Sequence, residues 1–221
     1  DIQTPNSVRL DSPKYWTEAK DFAQWLRSKD ADFLIVIAYG KIMPREILDM
    51  SHFGPINVHG SILPKYRGAS PLQSAFLNWD QESGITIMKM DEKMDTWNMI
   101  DILKFKLNFD WTVNDLIDSV MTKWPKFLND TLVHYAKWLL WEVKQDESKA
   151  TYCKKFDKQD WEINPFKDNL DAIYRKYRWF FMRPKIYFML NGKRVVIESM
   201  KLDEKNFEEN KSKVLIDWKN L

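Results

Sequence analysis

Asn57 and His59 stand two residues apart at the end of an apolar run, within "INVHGSILPKYRGASPLQ" (residues 56–73). In a β-strand, positions i and i+2 face the same side, so the amide and the imidazole would point together. A neutral N–H donor beside a group that can carry charge is the pair that a developing oxyanion needs. A carboxylate close by would orient the imidazole or accept a proton. Asp95, in the loop after the run 85–90, leads the candidates, with Asp80 and Asp91 as rivals. Asn and His are also ordinary turn and capping residues at strand ends, and spacing alone does not separate the two roles.

Positioning such a pair asks for a strand whose carboxyl end is open to a ligand, as in α/β sheets. The surrounding chain has that character. Residues 14–28 place Trp16, Ala19, Phe22, Ala23 and Leu26 at helical spacing. "DFLIVIA" (32–38) reads as a strand buried on both faces, and Pro44 opens a short helix, "PREILDM". "INVH" is the next strand and "SPLQSAFLNW" the next helix, with Ser70 as its N-cap. Strands are expected at 84–91 and 102–109, and helices at 112–123 and 126–140. Strands alternating with helices indicate an α/β domain with a largely parallel sheet.

Near residue 142 the pattern changes. "VKQDESKATYCKKFDKQD" is polar and aperiodic and reads as a linker. A helix, "KDNLDAIYRKYRWF", follows, and then two β-rich runs flank Asn191-Gly192, a strong hairpin signal. A further strand is expected at 213–218.

Composition narrows the function classes. The 221 residues, 44% hydrophobic and 30% charged, describe a globular chain. No apolar run approaches the ~18 residues of a membrane span, and no secretory signal layout is present. A single cysteine, Cys153, excludes an intrachain disulfide and most cysteine metal sites, in keeping with a reducing compartment. The net charge of +2 hides an asymmetry: residues 151–201 hold twelve Lys/Arg against six Asp/Glu. That excess is either a footprint for a polyanion or a solvated face.

"INVHGSILPKYRGASPLQ", followed by "SGITIMKMDEKMDT", closely resembles the methionyl-tRNA formyltransferases, and "QDESKATYCKKF" and "LNGKR" carry the resemblance toward the C-terminus. The resemblance implies a Rossmann-like formyltransferase sheet, largely parallel, whose first strands would precede Asp1. A small, incomplete OB-like β-barrel module would follow it. The implied division is a catalytic domain over 1–141, a linker over 142–159 and a tRNA-binding module over 160–221. It assigns catalysis to Asn57, His59 and Asp95. Ser61, Ile62, Leu63 and Pro64 match the segment that contacts tetrahydrofolate, and "AYGKIMP" matches the loop against the pterin, bringing in Tyr39, Gly40, Lys41 and Ile42.

The implied reaction moves a formyl group from 10-formyltetrahydrofolate to the α-amine of initiator methionyl-tRNA, in translation initiation. Asn57 and His59 would stabilise the oxygen that gains charge, and Asp95 would hold His59 and help to remove the amine proton. No metal is implied. Lys154, Lys155, Arg175, Arg178, Lys193 and Arg194 are the expected phosphate contacts, on a monomer in the bacterial cytoplasm or the mitochondrial matrix. Two alternatives stay open: a sibling enzyme acting on a sugar-nucleotide or glycinamide amine, and a non-catalytic tRNA-binding remnant whose site Trp97 blocks.

Two totals depart from the ordinary. There are eleven tryptophans and six glycines, where about fifteen glycines would be usual. Trp97 stands where the family has the glycine of Asp-Thr-Gly, and Trp79, Trp124 and Trp141 also fall at expected glycines. Glycine serves where a chain needs positive φ or close approach, which tryptophan supplies poorly. A gene that encodes glycine as UGA, translated with a code in which UGA is tryptophan, produces this pattern. A diverged homologue with genuine tryptophans is the alternative.

Overall fold

Apolar side chains at helical spacing lie in helix α1 (Trp16–Arg27), whose Phe22, Ala23 and Leu26 pack with Val36, Met43, Ile47 and Leu48. Val36 comes from strand β1 (Leu34–Ile37), and Ile47 and Leu48 come from the one-turn helix α2 (Arg45–Leu48), which follows Pro44 in extended conformation. After them come β2 (Pro55–His59), β3 (Arg67–Gly68), α3 (Pro71–Leu77), β4 (Glu82–Lys89), β5 (Met99–Lys106) and α4 (Val113–Ala136). The chain closes with β6 (Tyr152–Cys153), α5 (Leu170–Trp179), β7 (Tyr187–Leu190) and β8 (Lys193–Val196). This computed structural model describes residues 16–40, 43–91, 94–108, 110–181 and 185–200. The strand expected at 213–218 lies outside them, as do Lys41 and Ile42.

The main sheet has the order β1-β2-β4-β5. Only β1 and β2 run parallel; β2–β4 and β4–β5 are antiparallel. The expectation of a largely parallel sheet is therefore corrected to a mixed one. Residues 90–98 are too few for the crossover of a dozen or more residues that parallel neighbours require, so β5 returns alongside β4. Burial also departs from the sequence patterns. Among the described strands β1 lies at one end of the order, with Ile35 and Ile37 exposed, although its run suggests burial on both faces. β4 is buried from Ser83 to Met88 because it lies between β2 and β5. Ile56 of β2, Ile87 of β4 and Ile100 of β5 form a core with Phe127, Leu128, Leu132 and Tyr135 of α4.

That apolar stripe explains a second correction. Helices are expected to break near Pro125, but α4 is continuous with Pro125 inside it. Proline removes one intrahelical donor, and the packing of residues 127–135 sustains the helix beyond it.

Two compact units result: one contains the stretches up to residue 75, 82–106 and 123–155; the other contains 76–81, 107–122 and the chain from 156 onward. The polar stretch 142–159 has structure of its own. It carries 3-10 turns at Glu147–Lys149 and Lys158–Trp161, and its Tyr152–Cys153 pair with Arg67–Gly68 in the first unit. In the second unit Ile173 and Tyr177 of α5 pack with Ile163, Phe180, Ile186 and Phe188. β7 and β8 form the hairpin expected at Asn191-Gly192, whose φ values of 50° and 77° suit a two-residue turn.

The tryptophans divide by backbone conformation. Of the four at expected glycine positions, only Trp79 lies in the left-handed region, with φ 57°. Trp97, Trp124 and Trp141 do not, so positive φ gives no reason for glycine there. A fifth, which the sequence reading passed over, does: Trp138 has φ 58°. Its amide donates to Tyr135 O over 3.0 Å, and that of Leu139 donates to His134 O over 2.9 Å. This pair of bonds ends a helix on a left-handed residue, a place usually taken by glycine.

Candidate active site

β2, which runs parallel to β1, ends at His59 and places Asn57 and His59 on a common side. The loop after β4 returns Asp95 to them. Asn57 Nδ2 donates to Asp95 Oδ1 over 3.3 Å, and the same oxygen lies 3.6 Å from His59 Nδ1. The other carboxylate oxygen accepts from the Gly68 amide at 2.8 Å. His59 is 5% exposed and the Asp95 side chain 13%. Two side chains expected together from the sequence, Asn57 and His59, thus meet on the carboxylate of the third, Asp95.

Backbone geometry at this place is unusual. Tyr66, Gly68 and Asp95 all lie at positive φ: 59°, 116° and 55°. For a residue such as Tyr66 the left-handed region costs roughly 1–2 kcal/mol. Gly68 admits no side chain, since a Cβ there would lie 2.3 Å from Cys153 O. Its absence lets the 66–68 turn present a carbonyl to His59 and an amide to Asp95. Both are backbone groups, which a search for reactive side chains overlooks; the glycine of "YRGAS" is the one signal of them in the sequence.

The protonation logic follows from partner types. Tyr66 O can only accept, and it lies 2.9 Å from His59 Nε2, so Nε2 carries hydrogen. Nδ1 is left as the titrating position, facing Asp95. Burial pushes the His59 pKa below the ordinary 6.5, against the opposing pull of Asp95 and the Tyr66 carbonyl. The imidazole is therefore neutral at pH 7, with a lone pair at Nδ1. A proton arriving there would create a cation beside Asp95.

The expected folate segment adjoins this site through Gly60. Ser61 and Leu63 are buried. Ser61 Oγ donates to Lys65 O at 2.5 Å, Thr86 Oγ1 donates to Ser61 O at 2.6 Å, and the Leu63 amide donates to Thr86 Oγ1 at 3.2 Å. These bonds fasten the loop to β4, so Ser61 and Leu63 shape it, while Ile62 and Pro64 keep partial exposure. Tyr39 is half-buried on the α1–α2 core and Gly40 is exposed at φ 68°.

The expected phosphate contacts separate into two kinds. Lys154, Lys155, Lys193 and Arg194 are exposed. Arg178 is corrected: it is 2% exposed and donates to Trp111 O at 2.5 Å and Asn108 O at 2.8 Å. Its guanidinium also lies 4.4 Å from the centre of the Phe76 ring. Arg175 is likewise engaged, with Leu77 O at 2.9 Å and Asp171 at 2.9 Å. Both arginines bind the second unit's own backbone. Among the described residues no cluster of ligands suited to a metal ion occurs, and no helix is long and apolar enough to cross a membrane.

A family model described as formyl transferase matches residues 11–132. A methionyl-tRNA formyltransferase of Pelagibacter ubique is 31% identical over 212 residues, covering 94% of this chain and 64% of that protein. The chain spans less than two thirds of the length of the curated relatives it matches. Among solved structures, HypX from Aquifex aeolicus superposes with a TM-score of 0.68 at 18% identity, covering 87% of this chain and 34% of that one. The methionyl-tRNA formyltransferase from Clostridium thermocellum superposes with a TM-score of 0.65 at 21% identity, covering 81% and 77%. The fold shared with these structures is the Rossmann-like formyltransferase fold.

Proposed function

This chain belongs to the formyl transferase family, and from that premise we propose that it is part of a methionyl-tRNA formyltransferase. The formyl donor is 10-formyltetrahydrofolate and the acceptor is the α-amine of initiator methionyl-tRNA. The observation that carries the proposal is the junction of Asn57, His59 and Asp95 on one carboxylate oxygen. Relatives named for this activity support the choice of acceptor.

The folate supplies an electrophilic formyl carbon. Asn57 Nδ2 is the neutral donor for the formyl oxygen as that oxygen gains charge. As the amine bonds to the formyl carbon, His59 Nδ1 receives the proton that the amine must lose and Asp95 stabilises the imidazolium so formed; as the bond from that carbon to the folate nitrogen breaks, the imidazolium would return the proton to the departing nitrogen. The Tyr66 carbonyl holds the ring so that the lone pair faces inward. The loop from Ser61 to Pro64, pinned by Thr86, suits a flat heterocycle beside the strand end because its buried members are already satisfied internally. Tyr39 and Gly40 lie on the chain segment assigned to the pterin.

The region from residue 160 on belongs to an OB-like tRNA-binding module in this reading, joined to the catalytic domain by 142–159. Lys193 and Arg194 on its hairpin, with Lys154 and Lys155, meet phosphates. A monomer in the bacterial cytoplasm or the mitochondrial matrix fits this role.

The test offers the protein encoded by the whole gene 10-formyltetrahydrofolate with three acceptors: initiator methionyl-tRNA, an amino-sugar nucleotide and glycinamide ribonucleotide. Formyl-methionyl-tRNA as the main product supports the proposal. Transfer only to another amine, or tRNA binding without any transfer, overturns it.

A further inference from the structure

Arg67 is fully buried, and its guanidinium is bonded to side chains of the stretch 145–152. Its Nε and Nη2 donate to Gln145 Oε1 at 3.0 and 2.8 Å. Nη1 and Nη2 grip Glu147 at 2.9 and 2.7 Å, and Nη1 also reaches Tyr152 Oη at 3.2 Å. A bidentate guanidinium–carboxylate pair of this kind fixes orientation as well as charge. The glutamate holds the arginine firmly protonated.

Gln145 is 3% exposed, and its amide is fully used. Arg67 has only donors, so the atom facing it must be oxygen; the atom facing two backbone carbonyls must be nitrogen. Nε2 donates to Asp95 O at 2.9 Å and to Trp97 O at 2.7 Å. These two carbonyls bracket Thr96, in the loop that carries the catalytic carboxylate. Asp95 itself holds a left-handed backbone, φ 55°, a conformation that persists only where the surroundings impose it.

We propose that Gln145, oriented by Arg67 and Glu147, is the positioning residue that sets the Asp95 carboxylate against Asn57 and His59. It acts through the loop backbone and touches no substrate. Glutamine suits the task because it joins a donor-only group to two acceptor-only groups. Glutamate in its place would repel both carbonyls, and leucine would leave them unpaired. Residues about fifty positions apart in sequence are thereby linked, and "QDESKATY" contributes to the site without any reactive side chain. The inference rests on the proposed catalytic role of Asp95.

The test uses the protein encoded by the whole gene, with two variants. Gln145→Met keeps length and neutrality but removes both donors; Gln145→Asn keeps the amide, is too short to span both partners, and guards against a misfolded methionine variant. Two readouts are taken: steady-state formyl transfer, and the titration of His59 followed by NMR. With the loop released, kcat should fall at least about tenfold with the KM for folate within about twofold of the parent. The His59 midpoint should move further down, because Asp95 no longer supports the cation.

Unchanged kcat and an unchanged His59 titration in a folded variant overturn the inference. So does a loss of kcat with the titration unmoved, since that marks a role unrelated to Asp95. If the parent transfers no formyl group, the functional proposal fails. The titration arm then still decides whether Gln145 holds Asp95 against His59.

Discussion

Asp95 Oδ1 accepts from Asn57 Nδ2 over 3.3 Å and faces His59 as well. One carboxylate oxygen thus organises both side chains at the end of β2. Removing any one member should hurt turnover more than binding. In the whole protein, Asn57→Ala should lower kcat by on the order of 10²-fold or more, as loss of an oxyanion donor does, and His59→Ala should lower it by at least about 10²-fold through loss of the proton acceptor. The dissociation constant for the folate should change far less, measured by equilibrium titration. Near-parental turnover in either variant removes that residue from the mechanism.

The depressed pKa of His59 makes a prediction about stability. The unfolded chain takes up a proton near the ordinary value of 6.5, while the folded chain resists it until lower pH. Below pH 6.5 the unfolded state therefore binds more protons and stability declines. The stabilising contribution is complete above that value and is lost as pH falls through the folded pKa. Urea midpoints of the parent should drop between pH 7 and pH 5 more steeply than those of His59→Gln. Identical slopes would show that the imidazole is not held neutral.

Charge reversal separates surface cations from structural ones. Lys154→Glu with Lys155→Glu, and Lys193→Glu with Arg194→Glu, should flatten the salt dependence of tRNA binding, by about one unit of slope per lost phosphate contact. The fold should tolerate both pairs, since all four side chains are exposed. Arg178→Met should instead lower stability by about 2–4 kcal/mol, because Trp111 O and Asn108 O lose their donor. Chemical denaturation reads this. A stable Arg178→Met variant with weakened tRNA binding would restore Arg178 to the nucleic-acid surface.

The left-handed tryptophans supply a test of the coding hypothesis. Trp138→Gly should stabilise the chain by about 1 kcal/mol, since glycine takes φ 58° without penalty. Trp138 is 67% exposed, so little packing is lost. Trp79→Gly should gain less, because the indole donates to Asp171 at 3.0 Å. Mass spectrometry of the protein purified from its native source should find glycine at both positions if UGA encodes it there. Tryptophan at both would discard the coding explanation.

The meeting of Asn57, His59 and Asp95 was legible from a strand spacing together with a motif resemblance. A two-residue spacing puts Asn57 and His59 on one side of a strand, and the motif after β4 points to Asp95. Strand direction was not: alternation of apolar residues is the same in a parallel or an antiparallel neighbour, so β4 and β5 misled. The burial of Arg178 was equally hidden, since its spacing along α5 matches that of a solvent-facing cation. Trp138 escaped notice because its meaning depends on where α4 stops. The expected end at residue 140 would have buried it within the helix. Gln145 carries no chemical signal of its own; only the fold brings Arg67 and the two carbonyls to its amide.

The interleaving of the two units has a consequence for synthesis on the ribosome. Residues 76–81 and 107–122 emerge early but belong to the unit completed by the chain after 155. Phe76 meets Trp179, with ring centres 6.0 Å apart, and the carbonyls of Asn108 and Trp111 meet Arg178. A nascent chain that has reached residue 155 holds every described strand of the main sheet, but it still displays Phe76 without this covering. The interval before α5 emerges is when the growing polypeptide is most exposed to aggregation and most in need of a chaperone.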